Sequence, residues 1–170
     1  MFTIRCTQKL LARLGSAPVT IITTPDTVLG DWYANLIRVG RMQVVLAVSE
    51  RTLFPLVVPA KASRTLVPRL IEALGEQLLS IGVPQEDVQA ELQAMQSSAI
   101  AKTANRRVLG SLNDLAFQLE TGIRHSPDRS LFELSLWLAK TPFAYIEHAS
   151  PQYATVATFA TRRALSKFIA

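Results

Sequence analysis

The stretch DWYANLIRVGRMQVVLAVSERTLFPLVVP, residues 31–59, contains three apolar segments separated by two short polar breaks. The breaks are Gly40-Arg41 and Ser49-Glu50-Arg51, and apolar runs separated by so few turn residues are typical of antiparallel strands joined by hairpins. Glycine readily takes the positive φ that a two-residue hairpin needs at its first central position, where Gly40 stands. The stretch therefore predicts an antiparallel meander with strands over 32–39, 42–48 and 52–58.

Two positions predict how this meander lies in the sheet. Residues 44–48 are apolar on both strand faces, so we expect the middle strand in the interior of the sheet, covered by helices. Pro55 has no backbone N–H to donate to a neighbouring strand, and this favours an edge position or a bulge for the third strand.

Further elements follow on both sides of the meander. Residues 2–6 alternate as a half-buried strand does, a short helix is predicted over 8–14 with Gly15 ending it, and a loop is predicted over 16–30. A short edge strand is expected within that loop at 19–22. Helical spacing of apolar residues predicts helices over 63–81, after Pro84, over 105–123, over 130–140 and from Pro151, and a short strand is expected at 97–101.

Together these elements predict an α+β fold, a small antiparallel meander packed against several helices with a helical C-terminal half. No internal repeat or low-complexity linker divides the sequence, so we expect one domain. This domain is predicted to span 1–170, with a core over 1–123 and a helical C-terminal extension over 124–170.

Composition excludes several classes of protein. The chain has 170 residues, of which 49% are apolar and 18% are charged, which is too apolar for a disordered segment. Cys6 is the only cysteine, so no intrachain disulfide and no thiolate zinc site can form, and a reducing cytoplasm is expected. The first residues lack the order of a secretory signal, and no run reaches the roughly 20 apolar residues of a membrane span. We expect a cytoplasmic protein that does not associate with membranes.

The formal charge of +5 is unevenly distributed along the chain. Residues 1–70 carry a balance of +6, residues 71–101 (the acidic segment) carry −5, and residues 102–170 carry +4. These charges either form ordinary solvated faces, or the two basic stretches meet in space and form a surface that attracts anions.

The sequence contains no recognisable catalytic or metal-binding set. Its only histidines, His125 and His148, have no metal-ligating partner three to five residues away, and no spacing brings either one near Cys6. No nucleophile elbow, phosphate-binding loop or dinucleotide fingerprint is present. Cys6 shares a strand face with Phe2 and Ile4, which indicates a small buried hydrophobic residue. We therefore expect no metal and no cofactor.

Three cations surround the predicted start of the long helix. Lys102, Arg106 and Arg107 stand there, although the N-terminus of a helix already carries about half a positive charge. One explanation is a bound phosphate or carboxylate, held by backbone N–H groups, the Thr103 or Asn105 side chain and the two guanidinium groups. The other explanation is structural, with the two arginines paired to carboxylates of the acidic segment.

A second group of polar and aromatic residues lies at the start of the meander. Strand alternation sends Trp32 to one face of the sheet and Tyr33 and Asn35 to the other. If Asn35 faces a cleft with Arg5 and Lys9 nearby, aromatic and basic groups interleave as in proteins that bind single-stranded nucleic acid. Otherwise these aromatic residues belong to the core.

The last helix combines apolar residues such as Phe159 and Phe168 with Arg162, Arg163 and Lys167. Cations late in a helix complement its dipole and need no ligand. The simplest interpretation is a helix that docks on its own domain, and the alternative is a helix that binds a partner or a membrane surface.

Three local patterns occur in an order and at separations similar to those of a known family. They are CTQKLL at 6–11, DWYANL at 31–36 followed by 38–48, and KTANRR at 102–107 with Asn113. Together they resemble an uncharacterised family of small bacterial proteins, a domain of unknown function, over roughly residues 1–120. The resemblance implies a bacterial origin, an extension from His125 onward and one common site for the three patterns. It implies no activity.

The sequence best supports non-catalytic binding of an anionic partner, either nucleic acid or a phosphorylated ligand, through the basic start of a helix. The residues expected to form this site are Arg5, Lys9, Asn35, Lys102, Thr103, Asn105, Arg106, Arg107 and Asn113.

Two alternatives stay open. One is a metal-independent nuclease or phosphate-transferring enzyme with acid and base groups among His125, His148, Asp31 and Asp114, at least two of which must converge on one cleft. The other is a protein interaction or oligomerisation module that uses the acidic segment and the last helix.

Overall fold

A five-stranded mixed sheet forms the centre of the protein. In the computed structural model, which describes residues 1–169, the strands are β1 (Phe2–Cys6), β2 (Trp32–Val39), β3 (Met42–Ser49), β4 (Pro55–Pro59) and β5 (Ser98–Lys102). Their spatial order is β4-β3-β2-β1-β5. Strands β2, β3 and β4 form the predicted antiparallel meander, and β1 pairs in parallel with β2 on one side and β5 on the other.

Six α-helices lie around this sheet within residues 1–169. Gly15 ends the first of them in the left-handed region at φ 66°, as predicted, and Asn105, Ser130 and Ser150 cap three others. The α+β fold class and the helical C-terminal half are therefore confirmed. The helices are α1 (Gln8–Leu14), α2 (Leu66–Ser80), α3 (Gln85–Ala94), α4 (Arg106–His125), α5 (Leu131–Leu138) and α6 (Pro151–Ile169), with short 3-10 turns at Ser63–Thr65 and Ala144–Ile146.

The prediction of a short edge strand at 19–22 is wrong. Val19 donates one backbone hydrogen bond to the carbonyl of Ile100 in β5, and Pro18 beside it has no N–H with which to extend a ladder. Residues 19–24 are exposed and irregular.

Strand β4 begins three residues later than the predicted strand, which started at Thr52. It begins at Pro55, because the connection from β3 turns sharply before it. Leu53 has a φ of 56°, and the hydroxyl of Ser49 accepts hydrogen bonds from the N–H groups of Thr52 and Phe54. These contacts hold the residues before Pro55 in a turn.

Different helices cover the two faces of the sheet. One face, which includes Ile4 and Trp32, packs against α1, α2, α3 and the first half of α6. The other, which includes Tyr33 and Val57, packs against α4 and α5. Strand β3 is buried on both sides, as its apolar residues 44–48 predict, because neighbouring side chains of a strand point to opposite faces.

The last helix docks on its own domain from its start as far as Arg163. The hydroxyl of Thr155 lies 2.8 Å from that of Thr52, Phe159 is buried, and Arg163 pairs with Asp87 at 3.1 Å. Within residues 1–169, no helix has both the length and the apolar character needed to cross a bilayer. The end of α6 exposes Leu165, Phe168 and Ile169.

Strand β4 lies at an edge of the sheet, as Pro55 predicts, and its outer side offers no free donor. Pro55 and Pro59 have no N–H, and the N–H of Val57 between them donates to Ser135 Oγ of α5 at 3.0 Å. Unpaired N–H groups along an edge promote pairing with another chain. The Ser135 hydroxyl therefore occupies the N–H of Val57, the one donor on the outer side of β4 that could pair with a further strand.

Ser135→Ala tests this contact. The change leaves the buried N–H of Val57 without an acceptor, and we expect it to lower the free energy of unfolding by about 1–3 kcal/mol. Ser166→Ala is the control, because Ser166 is exposed on α6 and its loss costs about 0.5 kcal/mol or less. Urea unfolding of both variants measures the difference, and equal stabilities would contradict the role of Ser135.

Candidate anion-binding site

The chain diverges to opposite faces of the sheet at one place. Strands β1 and β5 lie side by side in parallel, with Cys6 opposite Lys102. The chain leaves β1 into α1 on one face and leaves β5 into α4 on the other. In open α/β sheets, ligands bind in the crevice at the carboxyl ends of such strands. Residues 7–9 and 103–107 begin at this point.

Two hydrogen-bonded contacts join the second sequence pattern to β1 and to Thr7 of the first pattern, beside this crevice. The hydroxyl of Thr7 donates to Asn35 Oδ1 at 2.7 Å. One carboxylate oxygen of Asp31 lies 3.1 Å from Arg5 Nη2 and 3.2 Å from Arg5 Nε, and the other accepts from the N–H of Thr3 at 2.9 Å. Arg5 is therefore engaged in a structural ion pair.

Tyr33 joins the second pattern to the third. Its hydroxyl accepts a hydrogen bond from the N–H of Asn105 at 3.0 Å, and the Arg5 guanidinium lies 5.9 Å from the centre of its ring. Burial, with a smaller effect of the Glu50 charge, raises the pKa of Tyr33, so the hydroxyl stays protonated. Asn105 Oδ1 accepts in turn from the N–H of Arg107 at 3.0 Å and so begins α4.

Burial of Trp32 and Tyr33 corrects the interpretation that these rings bind single-stranded nucleic acid. Trp32 and Tyr33 are each 1% exposed, so neither ring can stack on a nucleic acid base, and the alternative that they belong to the core is confirmed. Asn35 is half-buried, and its side-chain oxygen accepts the Thr7 bond.

Arg106 and Arg107 both line one exposed cleft on the α4 side of the sheet. The cleft has a volume of about 410 Å³ and lies between the start of α4 and the turn after α5, with Ser111, Asp114 and Tyr145 among its lining residues. Within residues 1–169, neither arginine forms an ion pair. The two charges stand together at the positive end of the helix dipole, where they are locally unfavourable.

The acidic segment does not supply partners for these arginines. Helices α2 and α3 pack on the opposite face of the sheet from α4. Asp87 pairs with Arg163 of α6, and Glu91 is 1% exposed. The structural explanation for Arg106 and Arg107 therefore has no counterpart among the described residues.

Glu91 was not identified from the sequence, and it holds the loop that precedes Asp31. Its carboxylate accepts hydrogen bonds from the N–H groups of Val28 at 2.6 Å and Leu29 at 3.0 Å. Burial raises the pKa of Glu91, while these two bonds oppose the rise. The signal for burial was its helical spacing, three residues after Val88 and four before Met95.

None of the remaining candidate residues lines the cleft. Lys9 and Lys102 are exposed and Thr103 is half-buried, all near the ends of β1 and β5. Asn113 is exposed on α4 but does not line the cleft. Cys6 is buried, and this raises its thiol pKa to about 12, which makes it unreactive.

The four groups of the catalytic alternative do not share the cleft. Asp114 lines it, whereas Asp31 is buried in its ion pair. His125 ends α4 with Nδ1 2.9 Å from the carbonyl of Thr121, and His148 lies outside the cleft in a left-handed turn at φ 62°. Within residues 1–169, no group of three or more His, Cys, Asp or Glu side chains lies close enough together to bind a metal ion.

Two ring-bearing residues of the cleft carry no signal in the sequence. Phe143 and Tyr145 reach the cleft from the turn after α5, more than 30 residues beyond Arg107. No motif connects these positions, and only the packing of α5 beside α4 brings the turn to the start of α4.

A family model named Domain of unknown function (DUF6933) matches residues 3–154. The chain belongs to this family. The DUF6933 match runs past residue 120, where the sequence resemblance ended, and it includes both walls of the cleft, from Arg106 to Tyr145. No curated protein and no solved structure matches the chain.

Asp31→Asn tests the ion pair between Asp31 and Arg5, which lies beside the candidate site. Asparagine keeps an acceptor for the N–H of Thr3 but leaves the mostly buried Arg5 charge unpaired, so we expect a loss of about 3 kcal/mol in the free energy of unfolding. The control is Asp128→Asn at an exposed turn, with a loss of about 0.5 kcal/mol or less. Equal urea midpoints for the two variants would rule out this role of Asp31.

Glu91→Gln tests the buried carboxylate through pH. Because the folded-state pKa of Glu91 is raised, the folded chain binds this proton more tightly than the unfolded chain, and stability falls as pH rises from the ordinary carboxyl pKa through the raised one. Glutamine does not titrate. We expect the natural chain to lose more unfolding free energy than Glu91→Gln between pH 4 and pH 7, and equal losses would contradict the raised pKa.

Proposed function

We propose that this protein binds a phosphate-bearing partner at the start of α4, without catalysing a reaction. The observation that carries the proposal is the pair Arg106 and Arg107, which line one cleft and have no ion-pair partner among residues 1–169. A phosphate between two guanidinium groups forms charge-assisted hydrogen bonds and offsets the repulsion from the helix dipole.

Side chains, rather than the backbone, supply most of the donors for this phosphate. The N–H groups of Arg107 and Val108 already donate to Asn105 Oδ1, at 3.0 and 3.4 Å. The phosphate therefore depends on the two guanidinium groups, with Lys102 and Thr103 preceding them at the end of β5. Lys9, which follows β1 at the same edge, adds to the positive potential on approach.

One feature favours binding over catalysis. Acid–base chemistry on a phosphate ester uses positioned proton donors and acceptors, and of the four candidate groups only Asp114 lines the cleft. The cleft volume of about 410 Å³ lies within the range of small-molecule sites, so it fits a phosphorylated ligand or a short segment of nucleic acid.

We also propose that the end of α6 contacts a protein partner or a second copy of the chain. Leu165, Phe168 and Ile169 are 58%, 88% and 88% exposed on a helix that carries Arg162 and Lys167. Sedimentation velocity at several concentrations tests self-association, which Phe168→Asp is expected to abolish. A cytoplasmic location and a bacterial origin stay proposals from the sequence.

Arginine substitutions test phosphate binding directly. We expect Arg106→Ala and Arg107→Ala each to weaken binding of inorganic pyrophosphate by about tenfold or more, because each removes charged donors. Arg124→Ala is the matched control, since it removes the same charge from an exposed site on the same helix, about 26 Å further along. Isothermal titration calorimetry gives the affinities.

The salt dependence of binding distinguishes a nucleic acid from a small phosphorylated ligand as the partner. Two phosphate contacts on single-stranded RNA predict a loss of affinity of about tenfold between 50 and 300 mM salt, because each contact releases counterions. RNA binding that is unchanged over this range excludes nucleic acid as the partner. Pyrophosphate affinity that is unchanged in the Arg106→Ala, Arg107→Ala double variant would show that the anion binds elsewhere and would overturn the proposal.

A further inference from the structure

The cleft beside Arg106 and Arg107 continues along α4. A second hollow, which includes Phe117 and Gln118, shares Asp114, Phe143 and Ala144 with it. The two hollows adjoin, and together they are named the α4 groove, which follows α4 from Arg106 to Gln118. At 1.5 Å per residue, this is a length of about 18 Å.

Gly110 in the wall of this groove has no role in internal packing. Glycine in a helix interior costs about 1 kcal/mol relative to alanine. A Cβ on Gly75 or Gly122 would meet a neighbouring side chain at 3.0 or 2.8 Å, whereas a Cβ on Gly110 would meet nothing within 4 Å. The fold explains the first two glycines and leaves the third unexplained.

The groove also contains aromatic rings and a carboxylate in addition to its cations. Tyr145 is half-buried opposite the arginines, and Phe117 is 73% exposed in the adjoining hollow. Aromatic side chains of this kind stack on nucleobases. Asp114 lies between the two rings along the groove; it repels a phosphate but accepts hydrogen bonds from the amino groups of a base.

We infer that the α4 groove binds a nucleotide, with its phosphate at Arg106 and Arg107 and its base against Tyr145 near Asp114. The sugar and base lie along the helix past Gly110, where a methyl group would occupy the space. This inference rests on the proposed function and adds the base to it. A free nucleotide and a single-stranded nucleic acid share this chemistry, and in a strand the next base lies on Phe117.

Three probes separate base recognition from phosphate binding. Ribose 5-phosphate carries the phosphate without a base, the four nucleoside monophosphates add the base, and a short single-stranded RNA adds neighbouring nucleotides. We expect the best monophosphate to bind at least about tenfold more tightly than ribose 5-phosphate, since stacking on one ring contributes this much. Tyr145→Leu should remove that advantage and leave the affinity for ribose 5-phosphate unchanged.

Gly110→Ala provides a readout that a damaged fold cannot imitate. We expect it to raise the melting temperature, because alanine stabilises a helix interior, and to weaken nucleotide binding about tenfold or more, because its methyl group enters the groove. Thr121→Ala, at an exposed position on the same helix outside the groove, is the control, with no change in nucleotide affinity. If the natural ligand is a single-stranded nucleic acid, Phe117→Ala should weaken binding of the RNA and of no other probe. If the natural ligand is a free nucleotide, Phe117→Ala should leave the affinity for every probe unchanged.

The outcomes are distinct for the two proposals. Equal affinities for ribose 5-phosphate and every monophosphate overturn base recognition and leave phosphate binding intact. The inference that the base binds in the α4 groove is also overturned if Gly110→Ala and Tyr145→Leu both leave nucleotide binding unchanged while Arg106→Ala abolishes it. Failure of pyrophosphate, ribose 5-phosphate and nucleotides to bind overturns both proposals.

Discussion

One buried carboxylate couples the parts of the candidate site. Asp31 is 1% exposed, and its oxygens bind the N–H of Thr3 and the guanidinium of Arg5, both on β1. A buried charge is costly unless it is paired and hydrogen-bonded, so β1 and the start of β2 keep one arrangement. Arg5 lies over the ring of Tyr33, and Tyr33 accepts the N–H of Asn105. The same chain of contacts therefore sets where α4 begins.

Helix α4 contains two locally unfavourable choices on the side that faces the groove. Its first turn carries Arg106 and Arg107 against the helix dipole, and Gly110 replaces better helix formers in its interior. No contact among residues 1–169 compensates for either choice. Proteins break local rules of stability most often at functional sites. The nucleotide that we propose, lying along the helix, would account for both choices, since its phosphate balances the charges and its bulk requires the glycine.

Periodicity in the sequence was enough to predict most of the secondary structure, because strands and helices that pack on a core repeat their apolar residues every two or about 3.6 positions. The meander, the closing Gly15 and the start of α4 near Asn105 follow from such local signals, whereas the capping role of the Asn105 side chain, which the sequence analysis assigned to the anion, does not. The parallel pairing of β1 with β2 and β5 does not, since the partner strands lie far apart along the chain. Burial of Glu91 was missed because its charge outweighed its spacing with Val88.

The candidate site divides in the same way. The sequence by itself determined the cations at the start of α4, the approximate residue at which that helix begins and the three polar patterns, because each depends on residues next to one another along the chain. Only the tertiary structure decided that Arg5 pairs with Asp31, that Arg106 and Arg107 stay unpaired within residues 1–169, and that Tyr145 faces them across a cleft. Such contacts depend on how distant elements pack, and no local pattern encodes that distance.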